Sequence, residues 1–164
     1  MRLTGQLSGH SLRPGSEMRT DSEGRFRFAP KVGETEIVAS SSNGFVRAAA
    51  ADLTTNGTLT LQAWARVSGR LIRDSQPVTR ENVDLQPTVR HSGGPWVNFH
   101  GTLTDDNGAF TIENVPPGEW QLTTRLKSGG GSWSNQRQHN FTARPGESVD
   151  VGTIQKTDSA TARR

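Results

Sequence analysis

Two tryptophans stand at the ends of glycine-rich loops, in Gly93-Gly94-Pro95-Trp96 and in Gly129-Gly130-Gly131-Ser132-Trp133. Side-chain amides follow each of them: Asn98 after the first, and Asn135, Gln136 and Gln138 after the second. An indole flanked by amides has the chemistry to hold a sugar ring, with the apolar ring face on the indole and the hydroxyls on the amides. Trp96, Asn98, Trp133, Asn135 and Gln136 are therefore the candidate ligand-binding residues. A plainer reading stands beside this one, in which each indole covers an open end of a lean core. Base stacking uses the same parts but needs a basic track alongside. Only Arg137 answers that need, so no nucleic-acid partner is expected.

The acidic run Asp105-Asp106-Asn107-Gly108 resembles a calcium loop until its register is set. With Gly108 at the sixth loop position, Leu103 falls at the first and Asn114 at the twelfth, where ligating carboxylates belong. The four histidines, His10, His91, His100 and His139, show no metal-ligand spacing, although His100 and His139 could lie on neighbouring strands. Serine is abundant, yet no Gly-x-Ser-x-Gly elbow follows a strand. No catalytic residue, metal or cofactor is expected, and an esterase or metal hydrolase is the reading set aside.

Composition bounds the architecture. Among 164 residues, 30% are hydrophobic, and the 18 glycines and 8 prolines suit many turns and short strands better than helices. No window repeats apolar residues at helical spacing or approaches the length that spans a bilayer, so membrane insertion is not expected. The net charge of +3 is dispersed as single Arg and Lys residues apart from the terminal Arg163-Arg164, which favours solubility over a nucleic-acid track. Without cysteine there are no disulfides, and the redox compartment stays open. The opening MRLTGQLSGHS has no apolar core of an export signal.

The elements that must carry these residues are set by a repeated pattern. Thr20-Asp21-Ser22-Glu23-Gly24-Arg25-Phe26-Arg27-Phe28 returns as Thr104-Asp105-Asp106-Asn107-Gly108-Ala109-Phe110-Thr111-Ile112. Asn-Gly alone would suggest a type I′ hairpin, but Glu23 is a poor residue for positive φ. Both copies can adopt a type I turn closed by a left-handed glycine, with Asp21 or Asp105 accepting backbone N–H bonds. A strand, tight turn, strand, Pro-Gly turn and strand are expected across Thr102–Leu122. In the first copy, strands are expected at Arg25–Phe28, Glu34–Ser40, Phe45–Ala50 and Thr58–Gln62, with turns at Asn43-Gly44 and Asn56-Gly57. Ala48–Ala51 reads as a strand end and loop, being too short to nucleate a helix alone. Later, Val97, Phe99, Gly101 and Leu103 should share one face, as should Trp120, Leu122, Thr124 and Leu126, with Phe141 in the core. The residues from Ser148 to Ile154 should form the last strand.

From Gly69-Arg70-Leu71 through Thr104-Asp105-x-x-Gly108-x-Phe110, Val115-Pro116-Pro117-Gly118-x-Trp120 and Val149-Asp150-Val151, the chain resembles the carboxypeptidase regulatory-like domains. The resemblance implies an all-β, antiparallel Greek-key β-sandwich of the prealbumin-like kind. It covers nearly all of residues 65–155 and, in part, 20–62. Trp120 departs from the pattern, standing where a smaller aromatic is usual. The expected organisation is an incomplete unit over residues 1–62, a complete unit of about seven strands over 63–156, and a disordered tail over 157–164. Such domains are mostly non-catalytic accessories of larger bacterial secreted or envelope proteins. A protein or polysaccharide partner follows, with carbohydrate binding through Trp96 and Trp133 as the alternative. The first unit lacks its front, so a sheet edge should be open to a neighbouring domain or a second copy.

Overall fold

The computed structural model describes residues 2–3, 6–7, 10–11, 18–27, 36–88, 101–127 and 133–156. In chain order its elements are β1 (Arg2–Leu3), β2 (Gln6–Leu7), β3 (His10–Ser11), β4 (Met18–Arg19), β5 (Glu36–Ser41), β6 (Gly44–Ala49) and α1 (Ala50–Asn56). There follow β7 (Ala65–Arg73), β8 (Gln76–Pro77), β9 (Asn82–Pro87), β10 (Thr102–Leu103), β11 (Ala109–Val115), β12 (Gly118–Lys127), β13 (Trp133–Ala143) and β14 (Ser148–Gln155).

Alternating apolar residues of the C-terminal strands close two sheets over one core. One sheet has the order β11-β7-β14 and turns Val67, Leu71, Phe110, Ile112 and Ile154 inward; the other, β10-β9-β12-β13, supplies Val83, Leu85, Trp120, Leu122 and Ala143. The result is an all-β sandwich, with seven principal strands and the two-residue β8 hairpinned onto β7. That hairpin turns through Asp74 and Ser75, both at positive φ (49° and 66°), as a two-residue connection between twisted strands requires. Pro87 ends β9, as a residue without an N–H should. One pairing departs from the antiparallel pattern: β14 runs parallel to β7. These two strands open and close the sandwich, and the long intervening chain makes a parallel alignment available to them.

The turn at Asp105–Gly108 was expected to fold neighbouring strands into a hairpin. Instead it carries the chain between sheets, since β10 pairs with β9 and β11 pairs with β7. The Pro116-Pro117 turn carries it back, because β12 pairs with β9 and β13. Pro116 is fully buried, and its carbonyl accepts the Trp120 Nε1–H at 2.7 Å, which lets a wide indole sit in the core with its polar edge satisfied. In the β12–β13 pairing the register shifts between Leu122 and Thr123, with Gln138 of β13 as the extra residue, while β12 stays in unbroken register with β9; Thr123 and Thr124 of this inner strand are both buried. Phe141 is only partly buried at the core margin, and Leu103, expected inward, is 56% exposed. The two-residue β10 ends before Thr104, whose buried hydroxyl takes the inward place.

The N-terminal part forms a smaller sheet in the order β4-β1-β5-β6. Val38 and Phe45 join the same apolar cluster as the sandwich residues, so this sheet packs onto the larger unit. Three local expectations are corrected. Arg25–Arg27 form no strand, and Phe28 lies outside the described residues. Thr58–Gln62 makes no full strand but one bridge, with Phe45 N–H to Gln62 O at 2.9 Å and the reverse bond at 2.8 Å. That bridge occupies one point on the outer edge of β6, while Arg2 of β1 pairs with Ser40 of β5.

The alanine run is the third correction, because β6 ends at Ala49 and α1 begins at Ala50. Asp52 lies in the first turn of α1, and Gly57, at φ 63°, closes it by donating its N–H to Leu53 O at 2.8 Å. The cost of nucleating an isolated helix is offset here by contact with β6. The expected tail, residues 157–164, lies outside the described residues.

Candidate functional site

The carboxylates of the two acidic turns are spent on backbone. Asp105 Oδ1 accepts the N–H groups of Asn107 and Ala109, both at 2.8 Å, while Gly108 N–H donates to Asp105 O at 3.0 Å. In the other copy, Asp21 Oδ1 accepts from Glu23 and Arg25, both at 2.9 Å, and Gly24 N–H donates to Asp21 O at 3.1 Å. Only the glycines have positive φ, 79° and 74°, so both turns are the expected type I form with a left-handed closing residue. Among the described residues, no three His, Cys, Asp or Glu side chains gather to hold a metal.

Polar groups inside the sandwich are structural as well. Thr104 Oγ1 donates to Val78 O at 2.6 Å and accepts the Glu81 N–H at 2.9 Å, tying the 78–81 loop to the end of β10. Lys156 Nζ meets Glu81 Oε2 at 2.7 Å with its side chain only 3% exposed. The backbone N–H of Lys156 donates to Ile72 O at 2.7 Å. This pair ties the end of the last strand to the same loop.

Three of the sequence-derived ligand residues, Trp133, Asn135 and Gln136, fall on β13. Trp96 and Asn98 lie outside the described residues, as do His91 and His100. Trp133 opens β13 opposite Lys127. Asn135 is exposed, whereas Gln136 is buried at 7%, because adjacent strand residues face opposite sides. The two amides therefore cannot serve one surface. His139 is exposed on β13, opposite Leu122.

A different constellation appears where the N-terminal sheet meets the sandwich. An open cleft of about 320 Å³ is lined by the Ser42-Asn43 turn, Trp64 and Arg66, Glu113 and Asn114, and the Gly146–Ser148 segment. Trp64 is held from two sides: its Nε1–H donates to Ser41 O at 2.9 Å, and its ring lies 5.5 Å from that of Phe45 at 41°. Arg66 Nε lies 3.1 Å from Glu113 Oε1, and Glu147 Oε2 accepts the Arg144 N–H at 2.9 Å. Asn114 sits at φ 56° within the irregularity that separates Ile112 from Val115. The sequence marks Trp64 only as the start of the second unit. No local spacing announces the cleft, because its walls come from four separate stretches of chain.

No protein-family model and no curated protein matches the chain. Among solved structures it is similar to a suspected carbohydrate-binding protein of Pseudomonas aeruginosa, at 15% identity and a TM-score of 0.40, over 62% of this chain and 94% of that one. It is also similar to a 9R-lipoxygenase from Cyanothece, at 15% identity and a TM-score of 0.35, over 67% of this chain and 21% of that one. Both likenesses are too loose to assign a ligand or a reaction to this chain.

Proposed function

We propose that the chain is a non-catalytic β-sandwich module that serves a larger bacterial secreted or envelope protein in a structural or interaction role. The supporting observation is where its reactive-looking side chains go. Asp21, Asp105, Thr104 and the Lys156–Glu81 pair each end on the turns and strand ends they hold in place. Such residues fix a fold and assign no active site. A larger parent protein and an extracytoplasmic setting are what the resemblance to the carboxypeptidase regulatory-like domains implies. Assay of the full chain on a panel of simple esters, with metal analysis of the purified protein, tests this reading. Baseline turnover and no stoichiometric metal are expected, and turnover abolished by a single side-chain substitution would overturn it.

Carbohydrate binding is the second reading, and the exposed amides of β12 and β13 favour it. Asn135 is exposed on the strand that Trp133 opens, and Gln121 Nε2 donates to Asn140 Oδ1 at 2.8 Å on an exposed part of the same sheet. Exposed amides suit hydroxyl-rich ligands. A glycan array read with the intact chain should give selective signals if this reading holds, and a folded protein that captures no glycan would end it.

A further inference from the structure

We infer that the cleft between the N-terminal sheet and the sandwich is a seat for a short stretch of neutral saccharide, an inference that rests on the carbohydrate reading above. Trp64 lines the cleft with its indole already fixed by Ser41 O and Phe45, so a sugar face docking there orders little that is loose. Hydrogen-bonding groups surround it. Asn43 Oδ1 accepts the Ser42 hydroxyl at 3.2 Å, and the Asn43 Nδ2 donor has no protein partner among the described residues; the same holds for the whole Asn114 amide.

Charge and size select the ligand class. The charged side chains at the cleft are one cation, Arg66, and two carboxylates, Glu113 and Glu147. Because Arg66 is engaged by Glu113 at 3.1 Å, the local field does not favour an anion such as a phosphate or a uronic acid. Polar walls disfavour a purely apolar guest. The volume of about 320 Å³ lies at the small end of the range for ligand sites and suits a short oligosaccharide better than a protein segment. Asn114 adds a further observation. A non-glycine residue held at φ 56° carries a conformational cost, and such costs gather at functional positions.

The test is a titration of the isotope-labelled full chain with cellohexaose, xylohexaose, mannohexaose and maltohexaose, followed through backbone amides and indole N–H signals. Shifts should gather at Ser42-Asn43, Trp64–Arg66, Glu113-Asn114 and Glu147. Asn114→Gly removes the amide while suiting the positive φ, so it should keep the thermal midpoint and weaken binding about tenfold. Asn43→Ala should weaken it by a smaller factor. Shifts confined to Trp96, Trp133 and Asn135, with Asn114→Gly binding like the parent, would overturn this seat and leave carbohydrate binding standing. No shift with any of the four sugars at millimolar concentration would defeat the seat and the carbohydrate reading together.

Discussion

The Asp21–Gly24 and Asp105–Gly108 turns have the same hydrogen-bond geometry within a tenth or two of an ångström, but their surroundings differ. A β-carbon on Gly108 would lie 2.4 Å from Leu71 O, and Gly108 O itself accepts the Leu71 N–H at 2.8 Å; Arg70 Nε adds a bond to Asn107 O at 2.7 Å. Among the described residues, nothing lies within 4 Å of the equivalent point on Gly24. One local sequence therefore specifies one turn, and the neighbouring chain decides how much stability depends on it. The second copy is wedged between two sheets, while the first is exposed from Asp21 to Arg25.

Three pairs of substitutions and one single change sharpen that contrast. The largest effect should come from the deep ion pair. Glu81→Ala strands the buried ammonium of Lys156 and should cost about 3–5 kcal/mol in urea unfolding, with much of the loss recovered in Glu81→Ala/Lys156→Met. Its counterpart in the smaller sheet, Arg47–Glu36, has side chains 20% and 21% exposed, and Glu36→Ala should cost only about 1 kcal/mol. Next, Gly108→Ala should lose roughly 2–4 kcal/mol from the collision and the positive φ combined, against about 1 kcal/mol for Gly24→Ala from backbone strain alone. Asp105→Ala should cost about 1–2 kcal/mol through two lost charge-assisted bonds, measured as a shift of the unfolding midpoint, and Asp21→Ala should cost less than half of that. The smallest change belongs to Glu23→Gln. Its partner Arg25 is 77% exposed, so the midpoint should stay within error, and a larger shift would mean that the first turn is docked after all.

The turn chemistry was legible in the sequence because two copies constrain each other, and Glu23 in one copy removes the type I′ solution that Asn107-Gly108 invites. Core positions such as Trp120 and Leu122 were legible for a similar reason: alternation reports a buried face directly. What alternation cannot report is which sheet a strand joins. Thr102–Leu103 and Ala109–Val115 look like the two arms of a hairpin, yet their ladder partners are β9 and β7, chosen by packing between distant stretches. The parallel meeting of β7 and β14 was hidden for the same reason.

The alanine run shows a different gap. An isolated helix of that length would melt, but here it follows directly on β6 and Gly57 closes it in the left-handed conformation, a context that propensity alone leaves undecided. At the site, Asn135 and Gln136 were grouped by proximity in sequence, and strand geometry separates them. The cleft around Trp64 was illegible because no two of its walls are close in the chain, apart from the 63–66 stretch itself.

Native-state hydrogen exchange at two amides tests the central contrast most directly. Ala109 and Arg25 donate the same bond to the same aspartate atom in their respective turns, at 2.8 and 2.9 Å. The account predicts that the Ala109 N–H exchanges only through opening of the whole sandwich, at least a hundredfold more slowly than expected from Arg25, whose turn can open by itself. Equal protection at the two amides would contradict it, because local turn geometry alone would then set the stability of both.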